Sequence, residues 1–431
     1  MTIPGFTGRR QRSIAATPRV GLFGLLGSGN IGNDASMESV LRYLRADHPD
    51  AILDAMCMGP ERVRGHYGIE AIPLQWYRRY EDRATGVTAI VLKVLGKGAD
   101  AFRTASWVRR HDAVIVPGMG VLEASLPLRP SGVPYAMFLL CASGKIFRTK
   151  VALVSVGATV INQRLTRWLF NTAARLAFYR SYRDIPSRDA MRQRGLDTTR
   201  DHVYPDLVFG IPAPPYDPGD VQAVGVGVMT YHGTNDDRKQ ADEIYASYVE
   251  NMKCFIRWLV DNGRRVRLLK GDTTDDDTVQ EFLADVRKHR PDLEPTWVVA
   301  EPVSSFAELA RAMAPVGIVV ATRYHNVMCA LKLSKPTISL GYSRKNIALM
   351  ADMGLSEFCQ YAHSLDVDRL IEQFKELESR SAQLRRTIVE RNAANARLLD
   401  DQFAALSALL FPAGEPARAA AELKPARRGV R

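Results

Sequence analysis

Residues Ile318–Leu355 read IVVATRYHNVMCALKLSKPTISLGYSRKNIALMADMGL. The apolar run Gly317 to Ala321 predicts a buried parallel strand, Asn326 to Leu333 a short helix, and Thr337 to Leu340 the next strand. Such a unit sets Arg323 and His325 where strand gives way to helix. Free N–H groups and the positive helix end face outward there, at the carboxyl edge of the strand. Arg344 and Lys345 follow the next strand onto the same edge. Three fixed cations and one titratable imidazole are therefore expected in one crevice, which suits a small, multiply charged acid as ligand.

The same alternation runs outward from this unit. Upstream, strands are predicted at Val224 to Met229, Arg265 to Lys270 and Thr296 to Val299, with helices near Gln240 to Asn262, Thr278 to His289 and Ser305 to Met313. An earlier series has strands at Val20 to Leu26, Ala51 to Met56, Ala113 to Pro117 and Val151 to Val156. At 431 residues the chain is too long for one core. The expected class is α/β: two Rossmann-like parallel-sheet domains facing a cleft, with C-terminal helices. Pro212, Pro214, Pro215, Pro218 and Gly219 mark the linker. The expected segments are a flexible N-terminus (1–17), a first domain (18–213), a second domain (214–365), a helical segment (366–411) and a disordered Ala, Pro and Arg-rich tail (412–431).

Lys and Arg outnumber Asp and Glu by 58 to 47, a net charge of +11. This balance suits phosphorylated substrates, anionic lipid surfaces or nucleic acid. The familiar nucleic-acid modules are missing, so nucleic acid is not expected as a partner. Five cysteines lie far apart without a CxxC pair, which points to a reducing cytoplasm and away from a cysteine-ligated zinc. The N-terminus has no apolar core behind its basic residues, and no apolar run reaches the length of a membrane span, about 18 residues. A cytoplasmic protein, with contact at the inner face of a membrane as a further reading, is the expectation.

The loop Gly27-Ser28-Gly29-Asn30-Ile31-Gly32 follows the first strand and opens a helix. A dinucleotide site is one reading of this GxGxxG spacing, with Asp54 in the second strand as the ribose partner. Asp54 falls mid-strand, however, and Asn30, Asn33 and Asp34 make the turn more polar than a pyrophosphate cradle needs. A glycine turn capping a buried helix is the second reading. The third has Gly29, Asn30, Gly32 and Asp34 holding donor or acceptor at the cleft.

Four stretches in order resemble the polysaccharide pyruvyltransferases. GLLGSGNIGNDASMESVLRYL is similar to that family's G-x-x-x-x-x-N-x-G-D-E-A opening, and VIVPGMGVL, with Gly118 and Gly120, to its strand and triple-glycine turn. YRSYRDIPSRDAMRQRGL followed by VYPDLVF is similar to its R-D-x-x-S segment with downstream Pro and Asp. TRYHNVMCALKLSKPTISLGYSRKNIALM is similar to its R-x-H segment followed by Pro, Tyr342 and Lys345. The chain departs from the pattern at Gly32-Asn33-Asp34-Ala35, at Met119 within the glycine turn, and at Gly157-Ala158-Thr159.

The resemblance implies a GT-B-like fold and transfer of a pyruvyl group from phosphoenolpyruvate, with no further cofactor, to a sugar. The product implied is a ketal on a polysaccharide, cell-wall glycan or glycolipid, and the acceptor a sugar that is free, nucleotide-linked or lipid-linked. By motif match Arg183, Arg323 and His325 are the implied donor-site residues, with Lys345 beside them and Gly118, Gly120, Tyr342 and Arg344 lining the site. Those residue types suit the chemistry. Guanidinium forks bind phosphate and carboxylate in pairs. An imidazole with a reference pKa of about 6.5 passes a proton either way near neutrality. Arg323 and the helix end should lower the His325 pKa in the empty protein, and a bound trianion should raise it.

Each residue also has a plainer reading. Arg183 and Asp184 make a surface ion pair, His325 a core histidine, Lys345 a solvated helix residue, and Asp206 a cap or orienter. The acidic loop Asp272 to Asp277 is expected to cap the following helix, and no metal is required. His232 to Arg238 is either a polar loop or an acceptor contact. Val87 to Arg110 is apolar on one side and basic on another, as in a helix lying on an anionic bilayer, although helices covering a sheet are amphipathic too. Two alternative functions stay open: a nucleotide-sugar glycosyltransferase, and a non-catalytic glycan or nucleotide binder. The first calls for a carboxylate after the R-x-H helix, and none occurs between Tyr324 and Ala351.

Overall fold

The computed structural model describes residues 17–77, 86–123, 130–212, 217, 219–233 and 235–412, with side chains left out at 86–94, 235, 236, 238 and 273. Residues 1–16 of the expected flexible N-terminus, all of the tail beyond Pro412, and Pro214, Pro215 and Pro218 of the linker lie outside these residues.

The first sheet is built from β1 (Arg19–Gly24), β2 (Ile52–Cys57), β3 (Glu70–Pro73), β4 (Ala113–Pro117), β5 (Lys150–Val156), β6 (Tyr179–Tyr182) and β7 (His202–Val203). Its order is β3-β2-β1-β4-β5-β6-β7, every pairing parallel. The central strands β4 and β5 are buried along nearly their whole length, because helices cover both faces of the sheet. Those helices are α1 (Ile31–Asp47), α2 (Pro60–Tyr67), α3 (Gly86–Val108), α4 (Val133–Phe147), α5 (Arg164–Leu176) and α6 (Ile185–Gln193).

The second sheet holds β8 (Asp220–Gly227), β9 (Arg265–Leu269), β10 (Val298–Ala300), β11 (Val316–Ala321), β12 (Thr337–Gly341) and β13 (Cys359–Tyr361), in the parallel order β10-β9-β8-β11-β12-β13. Its helices are α7 (Ala241–Asp261), α8 (Asp276–His289), α9 (Phe306–Met313), α10 (Tyr324–Lys332) and α11 (Arg344–Asp352). Two parallel-sheet α/β domains thus face each other, as the alternating pattern requires. β3, β6, β7 and β13 add short strands that the apolar pattern does not announce.

The helical C-terminus consists of α12 (Val367–Ser379) and the long α13 (Ser381–Leu410). α13 begins on the second domain, where the Asn392 amide donates to the Leu331 carbonyl (2.8 Å). It ends on the first. There Gln402, fully buried, accepts from Ser155 Oγ (3.1 Å) and donates to Ser181 Oγ (2.9 Å), and Phe403 stacks on Tyr43 with centroids 4.5 Å apart. Between the domains the Lys332 ammonium donates to the Phe209 carbonyl (2.6 Å), and Arg62 to the Ser304 carbonyl. Among the described residues no helix is long and apolar enough to cross a membrane.

Candidate active site

β11 and β12 end at the carboxyl edge of the second sheet, and the chain turns there into α10 and α11. Helix α10 begins two residues earlier than the apolar pattern predicts, with Arg323 as N-cap and Tyr324 and His325 in its first turn. Buried Asn326 donates to the Leu269 carbonyl (2.8 Å), which ties this helix end to β9. Opposite, Asn30 N-caps α1 by accepting from the Asn33 amide (3.2 Å). The two helix starts meet: a Cβ on Gly32 would overlap the His325 ring. A glycine in the first turn of α1 is therefore what allows an imidazole from the other domain to lie against that helix end.

The Gly loop is held from within. Gly29 has a left-handed φ of 92°. Asp34 is buried, and its Oδ1 accepts from the Gly27 amide (2.6 Å) while Oδ2 lies 3.8 Å from Arg62 Nε. Burial raises the Asp34 pKa, against the Gly27 amide and Arg62. Its carboxylate shapes the loop from within through the Gly27 amide. Asp54, the ribose partner of the dinucleotide reading, accepts from Trp107 Nε1 (2.8 Å) and lies 2.9 Å from His111 Nε2. Arg19, Glu70, Arg110 and these residues line a cavity of ≈ 130 Å³ at the amino end of the first sheet, the edge away from the crevice.

Arg183 follows β6 and is buried, so the surface ion pair is not what forms. Its Nη2 meets Glu123, its Nη1 donates to Asp206 Oδ2 (3.4 Å), and its Nε is 3.8 Å from Asp184 Oδ2. Asp184 N-caps α6 through the Ser187 amide (2.7 Å), and Asp206 accepts from the Val208 amide (3.2 Å), both cap and orienter. Burial raises the Asp206 pKa, with Arg183 opposing.

Glu123 carries the link between the domains. Its other oxygen is 3.3 Å from Lys345 Nζ at the start of α11. Burial alone would raise the Glu123 pKa, but Lys345 and Arg183 outweigh it and hold the carboxyl at about 2. The Tyr324 ring lies among the cations, 5.2 Å from the Arg183 guanidinium and 5.3 Å from Lys345 Nζ, and Lys345 also sits 5.7 Å from the Tyr342 ring. Lys345 is thus no solvated helix residue. The backbone at Gly118 and Met119 is left-handed (φ 52° and 62°), and a Cβ on Gly120 would meet the Glu123 carboxyl at 2.6 Å. This turn places Glu123, and Gly118 abuts Ser36, so the two glycines shape the site from behind. Arg344 stands exposed at the first position of α11.

Arg323 is paired as well. Asp275, fully buried, takes its Nε at 2.8 Å and its Nη2 at 2.5 Å, while Thr274 Oγ1 accepts from Nη2 at 3.0 Å. Within the acidic loop Asp272 accepts from the Thr274 amide (3.1 Å) and Asp276 and Asp277 stand in the first turn of α8, as capping requires, but Asp275 departs from it. Asp275 occupies the N-cap position of α8 without capping it through its side chain, because the carboxylate is committed to Arg323. Among the described residues no cluster of three His, Cys, Asp or Glu is placed to hold a metal ion.

His325 remains partly open to the cleft. Burial first, then Lys345, Arg183 and Arg323, lower its pKa from 6.5 to about 3, with Glu123 opposing. The imidazole is therefore neutral at pH 7, a proton acceptor between two positive helix ends.

Glu123 and Tyr324 escape the sequence reading, as does the partner of Asp275. Glu123 sits one residue past the VIVPGMGVL pattern, and Tyr324 is the unspecified centre of R-x-H; those adjacencies were the available signals. Asp275 lies in the acidic loop read as a cap, and its pairing with Arg323 had no signal, since the two are 48 positions apart.

Solved structures share the architecture. A putative UDP-N-acetylglucosamine 2-epimerase from Listeria monocytogenes superposes with a TM-score of 0.59 at 10% identity, covering 93% of this chain and 99% of its own. The UDP-GlcNAc 2-epimerase of Neisseria meningitidis bound to UDP-GlcNAc gives 0.56 at 11%, covering 90% and 100%. MurG of Acinetobacter baumannii gives 0.51 at 9%, covering 89% and 99%. At these identities the likeness establishes the two-domain GT-B fold. No curated protein matches the chain significantly in sequence. The family model for polysaccharide pyruvyl transferases matches residues 30–344, a span that starts within the glycine-loop motif at Asn30, holds the second and third motifs whole, and ends within the fourth at Arg344, one residue before Lys345. The chain belongs to the polysaccharide pyruvyl transferase family.

Proposed function

We propose that the protein transfers a pyruvyl group from phosphoenolpyruvate to hydroxyls of a sugar, with His325 as the acid and base of the reaction. The observation that carries this reading is the contact of His325 with Gly32. It puts a proton carrier between two helix N-termini, beside Arg183 and Lys345. Helix ends and cations suit a donor that bears both phosphate and carboxylate.

In the proposed sequence C3 of the donor gains a proton from His325, C2 becomes electrophilic, and an acceptor oxygen bonds to it. The acceptor's hydroxyl proton returns to His325. The C2–O bond to phosphate breaks, and a second hydroxyl bonds to C2 and closes the ketal, its proton leaving with the departing phosphate as hydrogen phosphate. The neutral imidazole of the ligand-free protein must first be charged. A bound trianion supplies the field that raises its pKa, so donor binding arms the acid. Arg183 and Lys345, now shared with Glu123, would bind the donor by partial exchange of that carboxylate for the ligand's.

The acceptor is proposed to be a sugar, nucleotide-linked or lipid-linked, at the Gly loop and the His232–Arg238 segment, part of which lies outside the described residues. The test is acceptor-dependent phosphate release from phosphoenolpyruvate over a panel of free, nucleotide-linked and lipid-linked sugars. Glycosyl transfer from a nucleotide sugar without phosphoenolpyruvate would establish the glycosyltransferase alternative instead.

A further inference from the structure

The connections from β3 onward run in one direction across the first sheet, so right-handed crossovers place α3, α4 and α5 side by side on one face. That face is unusual in two respects. Of the fifteen large hydrophobic residues exposed among the described residues, eight fall between Leu95 and Phe178. Phe102 (77% exposed), Ile146 (72%), Leu165 (56%) and Trp168 (54%) belong to these three helices. Phe138 and Trp168 extend the patch from α4 to α5, ring centroids 5.6 Å apart. Ordinary sheet-covering helices turn charged residues outward at such positions.

The second respect is charge. Helices α4 and α5 contain no carboxylate, and the one acid of α3, Asp100, is buried against Lys97 (3.6 Å) and Arg103 (3.7 Å). Lys145, Arg148, Arg164 and Arg167 are exposed and make no ion pair with a described residue. A second copy of the chain would bring the same positive face and be repelled. Large apolar side chains among unpaired cations match an anionic bilayer, whose headgroups take the cations and whose acyl boundary takes the rings.

We propose that the α3–α4–α5 face docks on an anionic lipid bilayer. The contact stands apart from pyruvyl transfer. If that reading also holds, the N-terminal end of α5, at the edge carrying Glu123 and Arg183, brings the crevice close to acceptors carried in the membrane.

Flotation with vesicles of phosphatidylcholine alone or mixed with phosphatidylglycerol tests this on the full chain. The wild type should bind the mixed vesicles, release them as salt rises, and ignore the neutral ones. The double variant Arg164→Glu/Arg167→Glu should bind at least about thirtyfold more weakly, the loss of two cations alone, and Trp168→Ala about tenfold. Both should keep the wild-type melting temperature and phosphate release with a water-soluble acceptor, which separates failure of docking from failure of catalysis. If the double variant does not fold, the salt titration of the wild type and Trp168→Ala still decide. No binding by the wild type, equal binding to both vesicles, or undiminished binding by the folded variants overturns the proposal. So does a concentration-dependent dimer that Trp168→Ala abolishes, which would make a second copy the occupant.

Discussion

At the scale of single residues the crevice depends on Gly32 and His325, which meet from opposite domains. A methyl group on Gly32 has no room, because the His325 ring fills its place. Gly32→Ala should therefore leave both sheets intact yet displace the imidazole, lowering kcat about 100-fold or more, the scale of a lost general acid or base. Circular dichroism and steady-state kinetics check both halves of this expectation. The same imidazole sets an acid limb of stability. With its pKa lowered from 6.5 to about 3, it refuses a proton that the unfolded chain accepts between those values. Stability present above pH 6.5 is thus lost as pH falls through that window. Glu123, held at about 2 against an ordinary 4.5, adds a loss that begins only below pH 4.5. Urea midpoints against pH should show the first limb flattened in His325→Gln and the second in Glu123→Gln. Glu123→Gln also frees Arg183 and Lys345 from an anion, so KM for phosphoenolpyruvate should fall about tenfold, the scale of one additional charge-assisted hydrogen bond to the donor. A raised KM would instead identify Glu123 as the residue that positions the two cations.

At the scale of elements the buried strands were the legible part. β4 and β11, and β5 and β8 from Val151 and Ala223 onward, are near-continuous apolar runs, and burial on both faces is the reason such runs exist. β6 (YRSY) and β7 were not legible, since near the sheet margin a strand need not be apolar throughout. The start of α10 shifted because Tyr324 and His325 carry no helix signal of their own; the Arg323 carbonyl, which accepts from the Asn326 and Val327 amides, and the tie of Asn326 to β9 decide it. The pattern over 366–411 shows helix but not where α13 docks. Its far end depends on Gln402, whose amide satisfies two buried serine hydroxyls on β5 and β6. Gln402→Ala leaves the Ser155 hydroxyl without its acceptor, while Ser181 Oγ keeps the Ser155 amide, and should cost about 1–3 kcal/mol. Urea denaturation should report this as a lowered midpoint with the slope unchanged.

At the scale of the whole molecule, a net charge of +11 surrounds a crevice in which most cations are already paired. Long-range attraction of an anionic donor is then a property of the surface more than of the site. Raising salt toward about 1 M, where screening acts within about 3 Å, should lower kcat/KM for the donor about tenfold, mainly through KM. Stopped-flow or steady-state rates against ionic strength measure it. What the amino-acid sequence determined by itself was the two α/β repeats, the family motifs, and the placing of R-x-H and of a glycine loop each at the end of a strand. These rest on hydrophobic period and turn chemistry, which act over a few neighbouring residues. Only the tertiary structure decided which charges pair. Arg323 finds Asp275, and Glu123 joins Arg183 to Lys345, because the free energy of burying a cation is met by whichever carboxylate the packed domains bring within reach, and that proximity has no signature along the chain.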